Sequence, residues 1–232
     1  SLDNYFVNRL DTPVDENNEL NYEALEAINI NMFNQHLKRL MEGDEVELPF
    51  YDFKTGSSGL SGQTIHLPAH ELIIIEGIHG LNDRLSYLID PKQKYRIYIS
   101  AITQINLDNT NYTSTTDNRL MRRIIRDART RGVKSADTIK IWPSVRRGEE
   151  NNIFPYQENA DIMFNSSLVY ELSVLKPFVE PQLRQINEDQ EEFAEAQRLL
   201  KFLSFFVAAP SEHVPPNSIL REFIGGSWFG VV

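Results

Sequence analysis

Glu71-Leu72-Ile73-Ile74-Ile75-Glu76-Gly77 is the stretch on which the fold turns. Four aliphatic residues follow one another without a polar interruption, the pattern of a strand covered on both faces rather than one face. Such strands belong to parallel sheets. Outward from it, Tyr95-Arg96-Ile97-Tyr98-Ile99 and Asp161-Ile162-Met163-Phe164-Asn165 read as two more strands, with helical patterns between them. Strands alternating with helices predict a layered α/β domain, a parallel sheet flanked by helices.

The helical segments carry their own punctuation. Asn21 is placed to cap a helix over about 22–42, in which Leu25, Ile28, Met32, Leu37, Leu40 and Met41 recur near 3.6-residue spacing and Gly43 provides the stop. Before it, 7–21 is polar, contains Pro13 and reads as a loop. Short extended pieces around Val46-Glu47-Leu48-Pro49 and Thr64-Ile65-His66-Leu67 enclose a Gly/Ser-rich stretch, 55–62, read as a flexible loop or hairpin tip. Asp117 is an N-cap for a helix to about 131 stopped by Gly132, with Leu120, Ile124, Ile125 and Ala128 on its apolar side. Ser135 opens a short helix ended by Pro143. Further helices are expected over 168–179 and 190–206. The tail from His213 is Pro-rich, then apolar, and is expected to pack on the body.

Composition excludes several classes. The 232 residues are 41% apolar and 24% charged, ordinary for a globular chain. There is no cysteine, which removes disulfides, iron–sulfur clusters and Cys-ligated zinc. No apolar run approaches the ~20 residues that span a bilayer, and the opening residues lack the pattern of a secretory signal. A reducing cytoplasm is the expected setting, where the sequons at Asn111 and Asn165 carry no meaning. Charge is uneven: 119–134 holds six Arg and one Lys against one Asp, a local +6 in a chain of net −10, so that the remainder carries −16. An acidic body of this kind repels DNA, whereas a small anion meeting only the basic segment escapes the repulsion.

Few residues stand out as carriers of chemistry. Glu76 ends the apolar run at the edge where α/β sheets bind ligands; it reads either as a carboxylate for Mg²⁺ or its water, or as a strand end facing solvent. Arg119, Arg122, Arg126 and Arg129 share one helical face, thickened by Arg123 and Arg131. Guanidinium forks match phosphate oxygens, and an anion would relieve their mutual repulsion; the plainer reading pairs them with the acidic body. Tyr51 and Phe53 sit in a loop where they either stack on a ring or anchor the loop. Asp3 alone would be a turn carboxylate. The five histidines form no metal set, and no Gly-x-Ser-x-Gly elbow occurs. Gly56 to Thr64 superficially resembles a phosphate loop, but the step from Gly56 to Gly62 is one residue too long and Gln63 stands in place of the lysine.

Four motifs in order, Leu-Asp-Asn-Tyr-Phe (2–6), Glu-Gly-x-Glu-Val-x-Leu-Pro-x-Tyr-Asp-Phe (42–53), Ile-Ile-Glu-Gly-Ile (74–78) and Thr-Asp-x-Arg-Leu-x-Arg-Arg-Ile-Ile-Arg-Asp-x-x-x-Arg-Gly (116–132), resemble the uridine kinase/phosphoribulokinase family of phosphate-loop kinases. The resemblance covers about 1–180, leaving 181–232 as a C-terminal helical extension of one incomplete kinase-like domain, 1–232. Ser144-Val145-Arg146-Arg147-Gly148-Glu149-Glu150 and Ile219-Leu220-Arg221-Glu222-Phe223-Ile224-Gly225-Gly226 are similar to a bacterial nucleoside-kinase subgroup, in which the kinase often follows a threonyl-tRNA synthetase-like domain. The family's phosphate loop and first strand precede the segment at 2–6, so the chain is expected to begin after them and to be inactive alone. The resemblance implies a P-loop NTPase-like α/β fold and ATP-dependent transfer, with Mg²⁺, to the 5′-hydroxyl of a nucleoside. Asp3 would be the general base and Glu76 the Mg²⁺-side carboxylate. Phe6, Tyr22, Tyr51 and Phe53 would wall the nucleoside pocket, with Glu23 near the ribose hydroxyls. Arg123 would touch substrate and Arg122, Arg126 and Arg131 would form a phosphate-binding lid. Gly56, Val133 and Ile141 stand where polar groups would read a pyrimidine, which points away from strict pyrimidine specificity. The other readings are a nucleotide- or RNA-sensing module and a kinase of a non-nucleoside alcohol. A homo-oligomer is compatible with the sequence.

Overall fold

The computed structural model describes residues 1–15 and 18–230; residues 16 and 17 of the loop read over 7–21, and the last two of the tail, lie outside the described residues. The chain divides into two compact units, Ser1–Tyr98 with Val145–Met163, and Ile99–Ser144 with Phe164–Val232.

The first unit opens with a 3-10 turn, Leu2–Tyr5, and a second one, Leu25–Ala27, leads to helix α1, Ile30–Met41. The helix starts later than the periodicity predicts because Asn21 uses its side chain otherwise: Oδ1 accepts the Glu23 amide at 3.1 Å, a local turn that competes with helix. The segment at 27–29 is extended and pairs with 5–7, the Val7 amide donating to Ala27 and the Asn29 amide to Tyr5. Asn29 is the true cap, accepting the Met32 amide at 3.1 Å. Leu2, Tyr5, Leu25, Ile28, Phe33, Leu37 and Leu85 form the core of the unit. Buried Asn34 ties α1 to a distant loop: its amide group donates to the Ile30 and Leu85 carbonyls, both at 2.8 Å, and its oxygen accepts the Leu88 amide at 3.1 Å.

Strands β1, Val46–Asp52, and β2, Ser57–Ile65, form an antiparallel hairpin with an irregularity between Glu47 and Pro49, where proline has no N–H to give. The stretch read as a flexible loop or hairpin tip does lie in a hairpin, but most of it is strand rather than tip. Backbone pairing to β1 imposes this, since glycine and serine offer no side-chain pattern from which to read it.

The run at 71–77 departs most from expectation. It belongs to no strand, and Leu72 and Ile74 are 90% and 88% exposed. Among the described residues no neighbouring strand pairs with it, so its apolar faces are uncovered; the Leu2 amide donates to the Glu76 carbonyl at 3.1 Å. Strands β3, Ile97–Ser100, and β4, Ile162–Asn165, do form at the expected places and pair with each other. Their bonds advance in the same direction, Asp161 to Arg96 and Ser166 to Ser100, as in a parallel pair.

The second unit is helical: α2 Thr115–Arg126, the beginning of α3 Ser135–Asn152, α4 Glu171–Leu183, α5 Phe193–Leu203 and the short α6 Arg221–Ile224. Ser114, not Asp117, caps α2, its hydroxyl accepting the Asp117 amide at 3.3 Å. The Asp117 carboxylate instead takes both Arg198 Nη groups, at 2.7 and 2.8 Å. A π-helical turn, Asp127–Arg131, follows α2, and Gly132 (φ +64°) ends it as predicted. Helix α3 continues through Pro143 instead of stopping there. Leu120 and Ile124, Leu175, Val179 and Leu183, and Leu199 and Leu203 are fully buried at i,i+4 spacing, one apolar row from each helix. From the tail, Val214, Leu220 and Phe223 are buried while Trp228 and Phe229 are exposed, so only part of it packs.

Candidate active site

In the first unit, a backbone bond joins the two segments that carry the predicted carboxylates. Asp3 lies in the opening 3-10 turn, where Ser1 Oγ accepts its amide at 3.3 Å. Leu2, the residue before it, bonds to the carbonyl of Glu76. Gly77 makes the approach close: a Cβ there would stand 2.6 Å from Leu2 Cδ1. Both Asp3 and Glu76 are solvent-facing. The structure therefore places the two carboxylates, 73 residues apart in sequence, on adjoining backbone.

The predicted aromatic residues converge as well. Phe6 is the hub, with ring centroids 6.3 Å from Tyr22, 5.3 Å from Tyr51 and 5.9 Å from Phe53; Tyr51 and Phe53 meet edge to face at 5.0 Å. Pairing of 5–7 with 27–29 and the β1–β2 hairpin bring together rings from three separate segments. Burial pushes the Tyr51 phenol above its ordinary ionisation, the Tyr22 phenol acts in the same direction, and the Arg9 charge opposes them. Glu23 is half-buried and packs against Gly148, where a Cβ would lie 3.0 Å from Glu23 Oε2.

The arginines lie in the second unit, and there the plainer reading, pairing with acidic groups, accounts for what is seen. Arg122 is buried: its guanidinium binds both oxygens of buried Glu171 and the Ser166 carbonyl (2.9 Å), and lies over the Phe223 ring at 5.1 Å. It does not share an exposed face with the others because α4 and α6 pack on that side of α2. Arg123 and Arg131 both bind the buried Asp127 carboxylate, at 3.2 and 2.9 Å. Arg126 pairs with Glu222 at 3.2 Å, and Arg129 donates to the Glu222 carbonyl at 2.5 Å. Val133 and Ile141 belong to this unit, Gly56 to the first.

Two participants escape a reading of the sequence. Glu222 gives no sign of meeting Arg126, 96 residues away. Arg9 appears as a lone cation in a polar loop, yet it reaches the β1–β2 turn, donating from Nη2 to the Phe53 carbonyl at 3.2 Å.

Mg²⁺ fits this donor set only in one way. Among the described residues no group of three His, Cys, Asp or Glu side chains could hold a metal, so an all-protein cage is absent there. One or two exposed carboxylates suit an ion that keeps waters and takes its other ligands from phosphates. Among the described residues no helix is long and apolar enough to cross a membrane.

Two exposed carboxylates on adjoining backbone and a cluster of four aromatic rings within one unit are parts that a phosphoryl-transfer enzyme can use. Comparison with known proteins is specific. The model of the Phosphoribulokinase / Uridine kinase family matches residues 6–173. The chain is 32% identical over 163 residues to the uridine kinase of Bacillus pumilus (strain SAFR-032), covering 69% of each chain. It is 30% identical over 164 residues to that of Oceanobacillus iheyensis, again 69% of each, and 29% identical over 163 residues to that of Bacillus subtilis (strain 168), 69% of this chain and 68% of the other. The chain belongs to the Phosphoribulokinase / Uridine kinase family, phosphotransferases with an alcohol acceptor.

Proposed function

We propose that the chain carries the acceptor side of a cytoplasmic nucleoside kinase that uses ATP and Mg²⁺. The observation that supports the reading is the backbone bond that sets the Asp3 and Glu76 segments side by side in the unit that also holds the Phe6-centred ring cluster. In the proposed step the Asp3 carboxylate accepts the proton of the nucleoside 5′-hydroxyl as that oxygen bonds to the γ-phosphorus and the bond to the β,γ-bridging oxygen breaks, leaving ADP. Phe6, Tyr22, Tyr51 and Phe53 hold the base by its faces, and Glu23 accepts hydrogen bonds from the ribose hydroxyls. Glu76 would hold Mg²⁺ or its water, and the ion when bound would supply charge neutralisation on the transferring phosphoryl group. Arg123, Arg126 and Arg131 serve the phosphates by exchanging their carboxylate partners, whereas Arg122 positions α2 through its buried pair with Glu171.

The sequence holds no Gly-x-x-x-x-Gly-Lys-Ser/Thr loop, and the 232 residues alone are expected to release no ADP with any nucleoside. A chain extended at its N-terminus by a strand and such a loop is expected to phosphorylate at least one member of a nucleoside panel. In that protein Asp3→Asn lowers kcat by about 10²–10⁴ while nucleoside affinity holds. An extended chain that binds ATP yet phosphorylates no nucleoside refutes the assignment.

A further inference from the structure

One charged group stands beside the ring cluster without being part of its walls. Arg9 begins the 3-10 turn Arg9–Asp11 and is half-buried. Its amide donates to the Gly56 carbonyl at 2.9 Å and its Nη2 to the Phe53 carbonyl at 3.2 Å, which fixes the side chain against the β1–β2 turn. A Cβ on Gly56 would stand 2.5 Å from Arg9 Nε and 2.7 Å from Cζ, and Gly56 has φ +74°. Glycine thus serves twice here: it permits the turn, and it cedes to the guanidinium the space a side chain would fill. Beside this cation, the buried Tyr51 hydroxyl has no hydrogen-bond partner of ordinary geometry. A guanidinium has only donors, five of them in a plane, while a phenol can give or accept.

We propose that Arg9 selects the base, pairing with an edge that presents only acceptors, as O4 of uracil or O6 and N7 of hypoxanthine do, and opposing the amino edges of cytosine and adenine. The inference rests on the nucleoside reading of the ring cluster. The chemistry is that by which arginine recognises O6 and N7 of guanine. An amino group in the same place sets donor against donor and leaves buried polar groups unpaired, the arrangement that discriminates most strongly.

Isothermal titration of the intact chain with uridine, cytidine, inosine and adenosine tests it. Uridine is expected to bind about tenfold more tightly than cytidine, and inosine than adenosine, the scale of one charged hydrogen bond. Arg9→Gln should bring both ratios to about one, because an amide can turn either its donor or its acceptor to the base. Arg9→Lys, which keeps the charge, should retain part of the preference and carries the test if the glutamine variant does not fold. A purely structural role would weaken all four nucleosides alike and leave the ratios untouched. If uridine and cytidine bind the parent equally, or the ratios survive in Arg9→Gln, selection by Arg9 is wrong and the nucleoside reading stands. If none of the four binds, both fall.

Discussion

Replacing Arg122 by methionine tests how the second unit is held together. The side chain is buried, and its guanidinium satisfies both oxygens of Glu171, itself 1% exposed, together with the Ser166 carbonyl. Methionine fills similar volume but leaves the Glu171 carboxylate with the Leu168 amide, at 3.0 Å, as its remaining donor among the described residues. An uncompensated buried charge of this kind costs about 3–5 kcal/mol. Glu171→Leu strands the guanidinium in the same way and should cost a similar amount. The double variant removes both charges; the Ser166 carbonyl and Leu168 amide then lose partners, at about 1 kcal/mol each. It should therefore lie within about 2 kcal/mol of the parent, well above either single variant. Tryptophan fluorescence in urea reads this unit selectively, because Trp142 (9% exposed) and Trp228 (79% exposed) are the only tryptophans and both belong to it. With a slope of about 1–2 kcal/mol/M, each single variant should lower the midpoint by about 1.5–5 M and the double by at most about 1–2 M. Single variants costing under about 1 kcal/mol, or a double variant worse than either single one, would refute the account of Arg122 as a structural cation. A phosphate-binding Arg122 predicts the reverse: unchanged midpoints and lost affinity for pyrophosphate.

Other outcomes follow from the same contacts. Asn34→Ala removes three bonds and orphans the Leu85 carbonyl and the Leu88 amide, so far-ultraviolet melting should show a loss of about 2–4 kcal/mol; a loss below 1 kcal/mol would mean that water replaces the side chain. His79 is buried and burial holds its proton affinity below the ordinary 6.5, against weaker upward pulls from the Ala24 backbone and Glu26. The unfolded chain then binds more protons as pH falls below about 6.5, so stability should decline from pH 7.5 to 5.5. Burial and the Arg39 charge act in the same direction on His36. Urea midpoints at the two pH values, compared with those of His79→Phe, measure the His79 share; an unchanged slope would exclude it. Glu222→Gln removes the carboxylate from Arg126 and, because the pair is a third exposed on each side, should cost no more than about 1 kcal/mol. Pyrophosphate affinity should rise in this variant if Arg126 serves phosphate, and a fall would contradict that role.

Local chemistry alone determined a good deal of this protein. Strands β3 and β4 and the apolar rows of α2, α4 and α5 are visible because their patterning matches the structure's period. The residue types at 3, 6, 22, 51, 53 and 76 pointed to a carboxylate-and-ring site through family likeness. Other features depended on long-range partners. The run at 71–77 has strand chemistry, but a strand also needs a paired neighbour, and among the described residues it lacks one. The Gly/Ser stretch has no strand chemistry and becomes β2 because β1 supplies the bonds. Asn21 reads as the cap of α1, and pairing of 27–29 with 5–7 moves the start to Asn29. Arginines at 3- and 4-residue spacing read as one face, and the packing of α4 and α6 on α2 determines that Arg122 is interior while Arg126 meets Glu222. Arg9 shows the division most plainly. Its charge is a property of the sequence, but its place beside Gly56 and Phe53 arises only when the hairpin folds back over the opening turns, because a hydrogen bond across 44 residues leaves no trace in local spacing.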